Sequence, residues 1–422
     1  MDKKLYANYL SILHEELTPA MGCTEPIAVA LAAAKTREVL GAMPVHLLVH
    51  CSGNIVKNVK GVVVPNSGGQ RGIAPAAVLG VLAGNPDKGL EVIACVSDEA
   101  VLETKRLCET DFCQCKLVEE EENLYIRVEA TDAEQNNAVV EIRTNHDHIA
   151  LIEKNGTVIF SQPDVADSRA GDKSQLSIQA IYEFANCVDM CDIRKIIGRQ
   201  IAYNSAISEE GLQNDWGASV GKTLYAVGHD DLRMRARSAA AAGSDARMNG
   251  CSLPVIINSG SGNQGITCTM PLVVYAKEWK VDEEKLYRGL VFTNLLALYQ
   301  KYFIGNLSAY CGAVSAGAAA GCGIAYLDGA ELATIERTLI NAIGDVGGIV
   351  CDGAKASCAA KISSAVDAGI IGYEMAKRNR CFPYGEGLVE KSAEQTVKNI
   401  GRMGRIGMKC TDVEILNIML GA

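Results

Sequence analysis

The alternation of apolar and polar residues stops near residue 165. Before that point short β-branched runs recur: "VHLLVH" (45–50), "EVIACV" (91–96), "NLYIRVEA" (123–130), "AVVEIRT" (138–144), "HIALIE" (148–153) and "TVIFS" (157–161), with "KNG" as a turn between the last two. A period of two puts alternate side chains on one face, as a half-buried strand requires. After the polar, linker-like stretch "QPDVADSRAGDKS" (162–174) such runs nearly vanish, and the chain reads as helix after helix broken by Gly-rich loops. The break predicts an α+β protein: an N-terminal mixed α/β lobe followed by a mainly α-helical lobe with Gly-rich loops. The expected division is residues 1–170, a mixed α/β domain opened by helices, and residues 171–422, an all-helical domain.

Residues 1–42 are read as helical. Leu5, Tyr9, Ile12, Leu13 and Leu17 fall on one helical face, and "GCTEPIAVALAAAKTREVLG" (22–41) is Ala- and Leu-rich up to a stop at Gly41. A further helix is expected over 74–82. The N-terminus has no unbroken apolar core and no small-residue cleavage site, so no secretory leader is expected. A net charge of −10 rules out a whole-chain basic field, and neither nucleic acid nor a membrane is an expected partner. The run Glu119 to Glu122 is read as a solvated strand end or loop. The uncharged run 302–327 is long enough to cross a bilayer, but it is mostly Gly, Ala and Ser with Asn306 and two cysteines, and is read as buried small-residue helix and loop. The expectation is a cytoplasmic protein, by default a homodimer.

Sixteen cysteines in 422 residues fall below the ~8–10% of disulfide scaffolds. In a reducing compartment they lean towards metal or catalysis, though most are expected to be small core residues. Two stretches stand out. "GGIVCDGAKASC" (347–358) sets Cys351 and Cys358 among small residues, and "GNLSAYCGAVSAGAAAGCG" (305–323) holds Cys311 and Cys322 in the same texture. Cys23 precedes Thr24, Glu25 and Pro26 at an expected helix start, a location that lowers a thiol pKa and favours the thiolate. Zinc would ask for paired cysteines two to four apart; Cys113/Cys115 and Cys187/Cys191 come nearest, without a matching second pair. An iron–sulfur cluster tolerates looser spacing.

One internal echo exists. "VVVPNSGGQRGIAPAAVLG" (62–80) and "VIINSGSGNQGITCTMPLV" (255–273) each carry an apolar run, Asn-Ser-Gly, a Gly-Ile pair and a helix-like stretch. Such loops present backbone N–H groups to an anion, or are simply tight turns that need positive φ. Asn66, Ser67 and Gly68, with Asn258, Ser259, Gly260 and Ser261, are the candidates for holding a carboxylate, and Asn263 and Gln264 can add donors.

"GCTEPIAVALAAAK", "DARMNGCSLPVIINSGSGNQGI", "AYCGAVSAGAAAGCGIAYL" and "GGIVCDGAKASCAAKI" resemble the L-cysteine desulfidase family, related to the α chain of iron–sulfur L-serine dehydratases. The resemblance covers nearly the whole chain; to the dehydratases it is strongest after about residue 240. It implies a [4Fe-4S] cluster held by Cys311, Cys351 and Cys358 with one iron open. The small neighbours would make room for the cluster and a small amino-acid substrate. Two departures are visible: the dehydratase cysteine pair is more widely spaced, and their extreme C-terminal cysteine has only Cys410 as a counterpart here. Cys23 is the preferred fourth ligand or catalytic thiolate, and Cys322 is more simply a packed thiol. The implied reaction is β-elimination of L-cysteine to sulfide, pyruvate and ammonia, with L-serine dehydration as the alternative.

Such chemistry needs a Lewis acid at the leaving group, a base near Cα and fixed partners for the carboxylate and ammonium. Cys23 is the first candidate base and His146 the second. Glu25 could orient the thiolate or simply sit as a first-turn acid. Lys355 and Arg247 could contact carboxylate, and Arg247 could instead pair with Asp245. Two rivals remain: a pyridoxal-phosphate β-eliminase with Lys355 or Lys361 as Schiff base, and a non-catalytic iron–sulfur redox sensor.

Overall fold

The computed structural model describes residues 1–119, 121, 123–162, 171–305 and 307–421. Most of the expected linker (163–170), Glu120 and Glu122 of the acidic run, and Asn306 lie outside the described residues. The first part comprises α1 (Lys3–Glu16), β1 (Pro19–Met21), α2 (Thr24–Leu40), β2 (His46–Ser52), α3 (Gly53–Lys60), α4 (Ile73–Ala83), α5 (Asp98–Cys108), β3 (Cys113–Val118), β4 (Tyr125–Thr131), β5 (Asn137–Arg143), β6 (Ile149–Lys154) and β7 (Thr157–Ser161). Strands β2 to β7 form one sheet in the order β3-β2-β4-β5-β6-β7, parallel only between β2 and β3. Leu47, Val49 and Cys51 of β2, Ile126, Val128 and Ala130 of β4, and Ala138, Val140 and Ile142 of β5 are all buried. That period of two lays one apolar face under α2. Helix α2 is buried on every side along its first three turns because α4 covers it from behind. At Gly80 an added Cβ would fall 2.3 Å from the Ala30 carbonyl oxygen, so the two helix backbones touch.

Strand β1 interrupts residues read as helical, and two further strand assignments differ from the sequence reading. "EVIACV" is not a strand: it follows a 3₁₀ turn at Pro86–Glu91 and its Val92 and Ala94 N–H groups bond back to Gly89 and Glu91. Its Val92 and Ile93 side chains are buried, and Asn66 Nδ2 donates to the Ile93 carbonyl at 2.9 Å. Conversely β3, "CQCKLV", is a mostly exposed edge strand without alternation, so nothing apolar announced it.

The second part is helical: α6 (Ile178–Cys187), α7 (Met190–Gln213), α8 (Val220–Gly228), α9 (Leu232–Met248), α10 (Gly262–Trp279), α11 (Glu283–Ile304), α12 (Gly312–Leu327), α13 (Leu332–Val346), α14 (Cys358–Lys377), α15 (Ala393–Arg402) and α16 (Lys409–Leu420), with one short strand, β8 (Pro254–Ile256). The protein is thus α+β. No helix among the described residues is long and apolar enough to cross a membrane. Within the uncharged run 302–327, α12 is buried along its length except at Gly312.

Its small residues permit close crossings. A Cβ on Gly321 would stand 2.3 Å from the Gly369 carbonyl oxygen, and one on Gly317 would stand 2.5 Å from Ala365 backbone atoms. Beyond its first turn, the small residues of α12 therefore serve close packing against α14. Strand β8 pairs antiparallel with β1, Ala20 facing Val255, and so ties the N-terminal segment to the helical part.

Asp245 and Arg247 sit on α9 but do not pair. Asp245 is buried and accepts the Gly221 N–H at 2.8 Å at the start of α8. Its other oxygen has no hydrogen-bond partner. Burial pushes its carboxyl up to about 6, against the opposing pull of the Gly221 and Val220 N–H groups. A carboxyl raised above its unfolded value favours the folded state at low pH, and that contribution is lost as pH rises from about 4 to about 6. Asp245→Asn keeps the acceptor and removes the charge. Thermal melts of both proteins at pH 4.5 and 7.5 should show the variant gaining ~1–2 kcal/mol relative to the parent at the higher pH.

Candidate functional site

The β1–β8 ribbon sets two loops side by side. Leaving β1, the chain reaches Cys23, which caps α2. Leaving β8, it turns through Asn258–Ser261 into α10, with Ser259 and Gly260 at positive φ. Thr24 Oγ1 donates to the Gly260 carbonyl at 2.8 Å and fastens the two. The opposite wall comes from two further loops. The loops preceding α12 and α14 meet in a β-bridge between Tyr310 and Val350. There the Cys311 N–H bonds the Ile349 carbonyl at 3.1 Å, and the Cys351 N–H bonds the Ala309 carbonyl at 2.6 Å. Cys311 caps α12, and Cys358 is the first residue of α14.

Between these walls lies a cavity of about 110 Å³, lined by Cys23, Cys311, Cys351 and Cys358 together with Glu25, His146 and Arg247. Asn58, Lys301 and the loop Ser259–Ser261 complete much of its lining. Four cysteines from three separate stretches of the sequence thus face one space.

The electrostatics correct one expectation. Burial first, then the Glu25 charge, push the Cys23 thiol well above its ordinary value, and Arg247 offsets only part of this. Cys23 Sγ donates to Glu25 Oε2 at 2.8 Å. The thiolate expected at a helix N-terminus is therefore a thiol, because burial beside a carboxylate outweighs the helix end. Glu25 carries the charge instead. It is 8% exposed and accepts Asn58 Nδ2 at 3.0 Å. His146 Nε2 lies 3.8 Å from its Oε1. Burial opposes the Glu25 charge, but His146 and the Cys23 thiol more than compensate and hold the carboxyl down at about 2. His146 itself packs against Gly260, where an added Cβ would stand 3.1 Å from Nδ1.

Burial and Cys351 push the Cys311 thiol up to about 12. Burial raises Cys358 as well, although the Lys355 N–H and the Lys355 and Lys361 charges oppose it. The buried amine of Lys301 is pushed down to about 8, while Cys351 and Cys311 pull it back up. Among the described residues no three His, Cys, Asp or Glu side chains converge tightly enough for a single metal ion.

Several candidates lie elsewhere. The Asn66–Gly68 loop lines a separate cleft with Trp216 and Asn249. Ser67 Oγ donates to the Val64 carbonyl at 2.6 Å, so this loop is a braced turn and does not share a carboxylate site with its echo. Asn258 is fully buried and donates to Asn294 Oδ1 at 3.0 Å, which leaves Ser259, Gly260 and Ser261 as that loop's lining residues. Lys355, 32% exposed, is held by Asp352 at 2.5 Å, and Lys361 pairs with the same carboxylate. Neither lysine lines the cavity. Asn58 and Lys301 went unnoticed in the sequence: a polar residue on a buried helix face carries no local sign that it borders a cavity.

Residues 87–417 match a protein-family model described as serine dehydratase alpha chain. The chain is similar to a UPF0597 protein of Finegoldia magna, at 50% identity over 98% of this chain and 99% of that one. It is equally similar to a UPF0597 protein of Lachnoclostridium phytofermentans, at 50% identity over 99% of this chain and all of that one. A UPF0597 protein of Treponema denticola is 44% identical over this whole chain and 99% of its own length.

Proposed function

Because the chain belongs to the serine dehydratase alpha chain family, a family of lyase type, we propose that it eliminates the β-substituent of a small amino acid, with L-cysteine as substrate and sulfide, pyruvate and ammonia as products. The observation that carries this reading is the meeting of Cys311, Cys351 and Cys358 with the Glu25–His146 pair around one cavity. The family description favours a second reading, L-serine with water leaving, on the same machinery.

The donor set fits a [4Fe-4S] cluster better than a lone ion. The three thiols line one space without converging on a point, and cluster cysteines each take a different iron. Cys311 and Cys358 stand at helix N-termini, and Lys301 and Lys361 add positive charge nearby, which suits an anionic thiolate group. When bound, such a cluster would supply Lewis acidity towards the leaving sulfur or oxygen.

The remaining work falls to side chains. His146 takes the α-proton, and the electron pair of the Cα–H bond becomes the new C=C bond as the Cβ–S bond breaks. Glu25, ionised across the physiological range, orients the imidazole and stabilises it once it carries the proton. The Cys23 thiol and Asn58 fix Glu25 in turn. The enamine product then hydrolyses to pyruvate and ammonia.

The test is iron and acid-labile sulfide per chain after anaerobic purification, with sulfide release from L-cysteine measured on the same sample. About four of each, with both iron and activity lost in Cys351→Ala, is the expected result. No iron after anaerobic reconstitution would sink the cluster reading.

A further inference from the structure

The buried Arg247 guanidinium poses a problem that the fold alone does not resolve. Arg247 is 2% exposed and is among the largest fully buried side chains. Its Nη1 donates to Asn263 Oδ1 at 3.1 Å, but Nε and Nη2 have no hydrogen-bond partner. No carboxylate among the described residues forms an ion pair with it. An unpaired buried cation is costly, and a guanidinium left with open donors adds to that cost.

Its position sharpens the point. The guanidinium lies against the start of α10, where a Cβ on Gly262 would fall 2.3 Å from Nε, so only glycine admits it. Helix α10 is 18 residues long and presents its positive end there. The last turn of α9, which carries Arg247, offers some compensation by its own dipole. Even so, a cation and a helix N-terminus share one buried corner. The corner opens on the cavity that also holds Glu25 and the cysteines.

We propose that Arg247, with the N-terminus of α10 at Ser261–Gln264, is the subsite for the α-carboxylate of a zwitterionic amino acid, whose ammonium faces Glu25. A guanidinium fork matches a carboxylate in two parallel hydrogen bonds, and Nε and Nη2 are the two adjacent donors left open. The Asn263 contact holds the plane of the fork. The class follows from the charges: a guanidinium and a carboxylate lining one cavity match the two ends of a zwitterion. The subsite deepens the lyase reading by naming what holds its substrate, and it rests on that reading for the identity of the acid.

Binding separates the two. L-Alanine has no leaving group and cannot be eliminated, so calorimetric titration of the full chain, prepared anaerobically, reads the subsite without turnover. Ethylamine, which lacks the carboxylate, serves as the contrast. L-Alanine should bind the parent, ethylamine should not, and Arg247→Gln should weaken L-alanine binding ~10–100-fold. Arg247→Lys keeps the charge but not the fork and should fall between the two, which decides the matter if the glutamine variant does not fold. The subsite is overturned if L-alanine does not bind the parent, if ethylamine binds as tightly, or if both variants bind L-alanine like the parent. L-Alanine binding that depends on Arg247, in a protein that neither holds iron nor releases sulfide, would sustain the subsite and reject the lyase.

Discussion

Gly321→Val is expected to yield little or no folded protein. The α12–α14 crossing is built backbone on backbone: the Cβ of any residue at 321 would fall 2.3 Å from a carbonyl oxygen and 2.4 Å from the carbonyl carbon of Gly369. Overpacking usually costs ~1–3 kcal/mol because side chains can rearrange. Here the obstacle is main chain on a helix that also packs against α13 and α9. A loss on the order of 4 kcal/mol or more follows, a large part of the ~5–15 kcal/mol that stabilises a typical fold. Soluble yield and thermal unfolding check it. Gly348→Ala is the control: that position has no neighbour within 4 Å and a negative φ, and should melt with the parent. A folded Gly321→Val with parental melting would show that the crossing is looser than described. Two of the cavity cysteines head these helices, so a partial defect at residue 321 should also displace Cys311 and Cys358.

Glu25→Gln should fold and lose activity. The substitution keeps shape and volume but removes the charge that His146 faces at 3.8 Å. With β-elimination as the assay, kcat should fall ~10²–10⁴-fold, the range of a general-base contribution. Stability should change with pH as well. Because the Glu25 carboxyl is held at about 2, below its unfolded value of 4.5, its contribution is present above pH 4.5 and lost as pH falls towards 2. The glutamine variant should lack that acid-dependent loss, so the two melting curves should converge as the pH is lowered. Unchanged kcat in a folded Glu25→Gln would remove Glu25 from the proposed mechanism.

The α+β character of this chain was legible because it depends on local periodicity. Alternation in β2, β4, β5 and β6 reports a sheet with one apolar face, and its absence after residue 174 reports helices. "EVIACV" misled because a short apolar run looks the same whether it pairs with a strand or packs under a helix; the 3₁₀ turn and the Asn66 amide decide the matter through contacts distant in sequence. At the site, resemblance singled out Cys311, Cys351 and Cys358, which share one cavity. Local rules failed where burial reversed them. The rule for a helix-capping cysteine predicts a thiolate at Cys23, yet desolvation beside Glu25 keeps the proton on sulfur. The echo of the two Asn-Ser-Gly loops is only partial in backbone conformation: Gly68 and Gly260 both have positive φ, but the first loop adds it at Asn66 and the second at Ser259. The β1–β8 ribbon brings only the second of them to the cavity, and no property of either loop alone encodes that.

That ribbon also sets a timetable for synthesis. The hydrogen bond from Thr24 to Gly260 joins positions 236 residues apart, and closing such a loop costs ~3 kcal/mol more in chain entropy than closing one of about ten residues. At about 5–20 residues per second on the ribosome, roughly 10–50 s pass between the emergence of the two partners. Cys351 and Cys358 arrive later still. Through that interval Cys23 is neither buried nor shielded, and it meets the cell's oxidants with ordinary thiol reactivity. Cys23 is thus open to oxidants in the nascent chain and closed to them once the ribbon has formed.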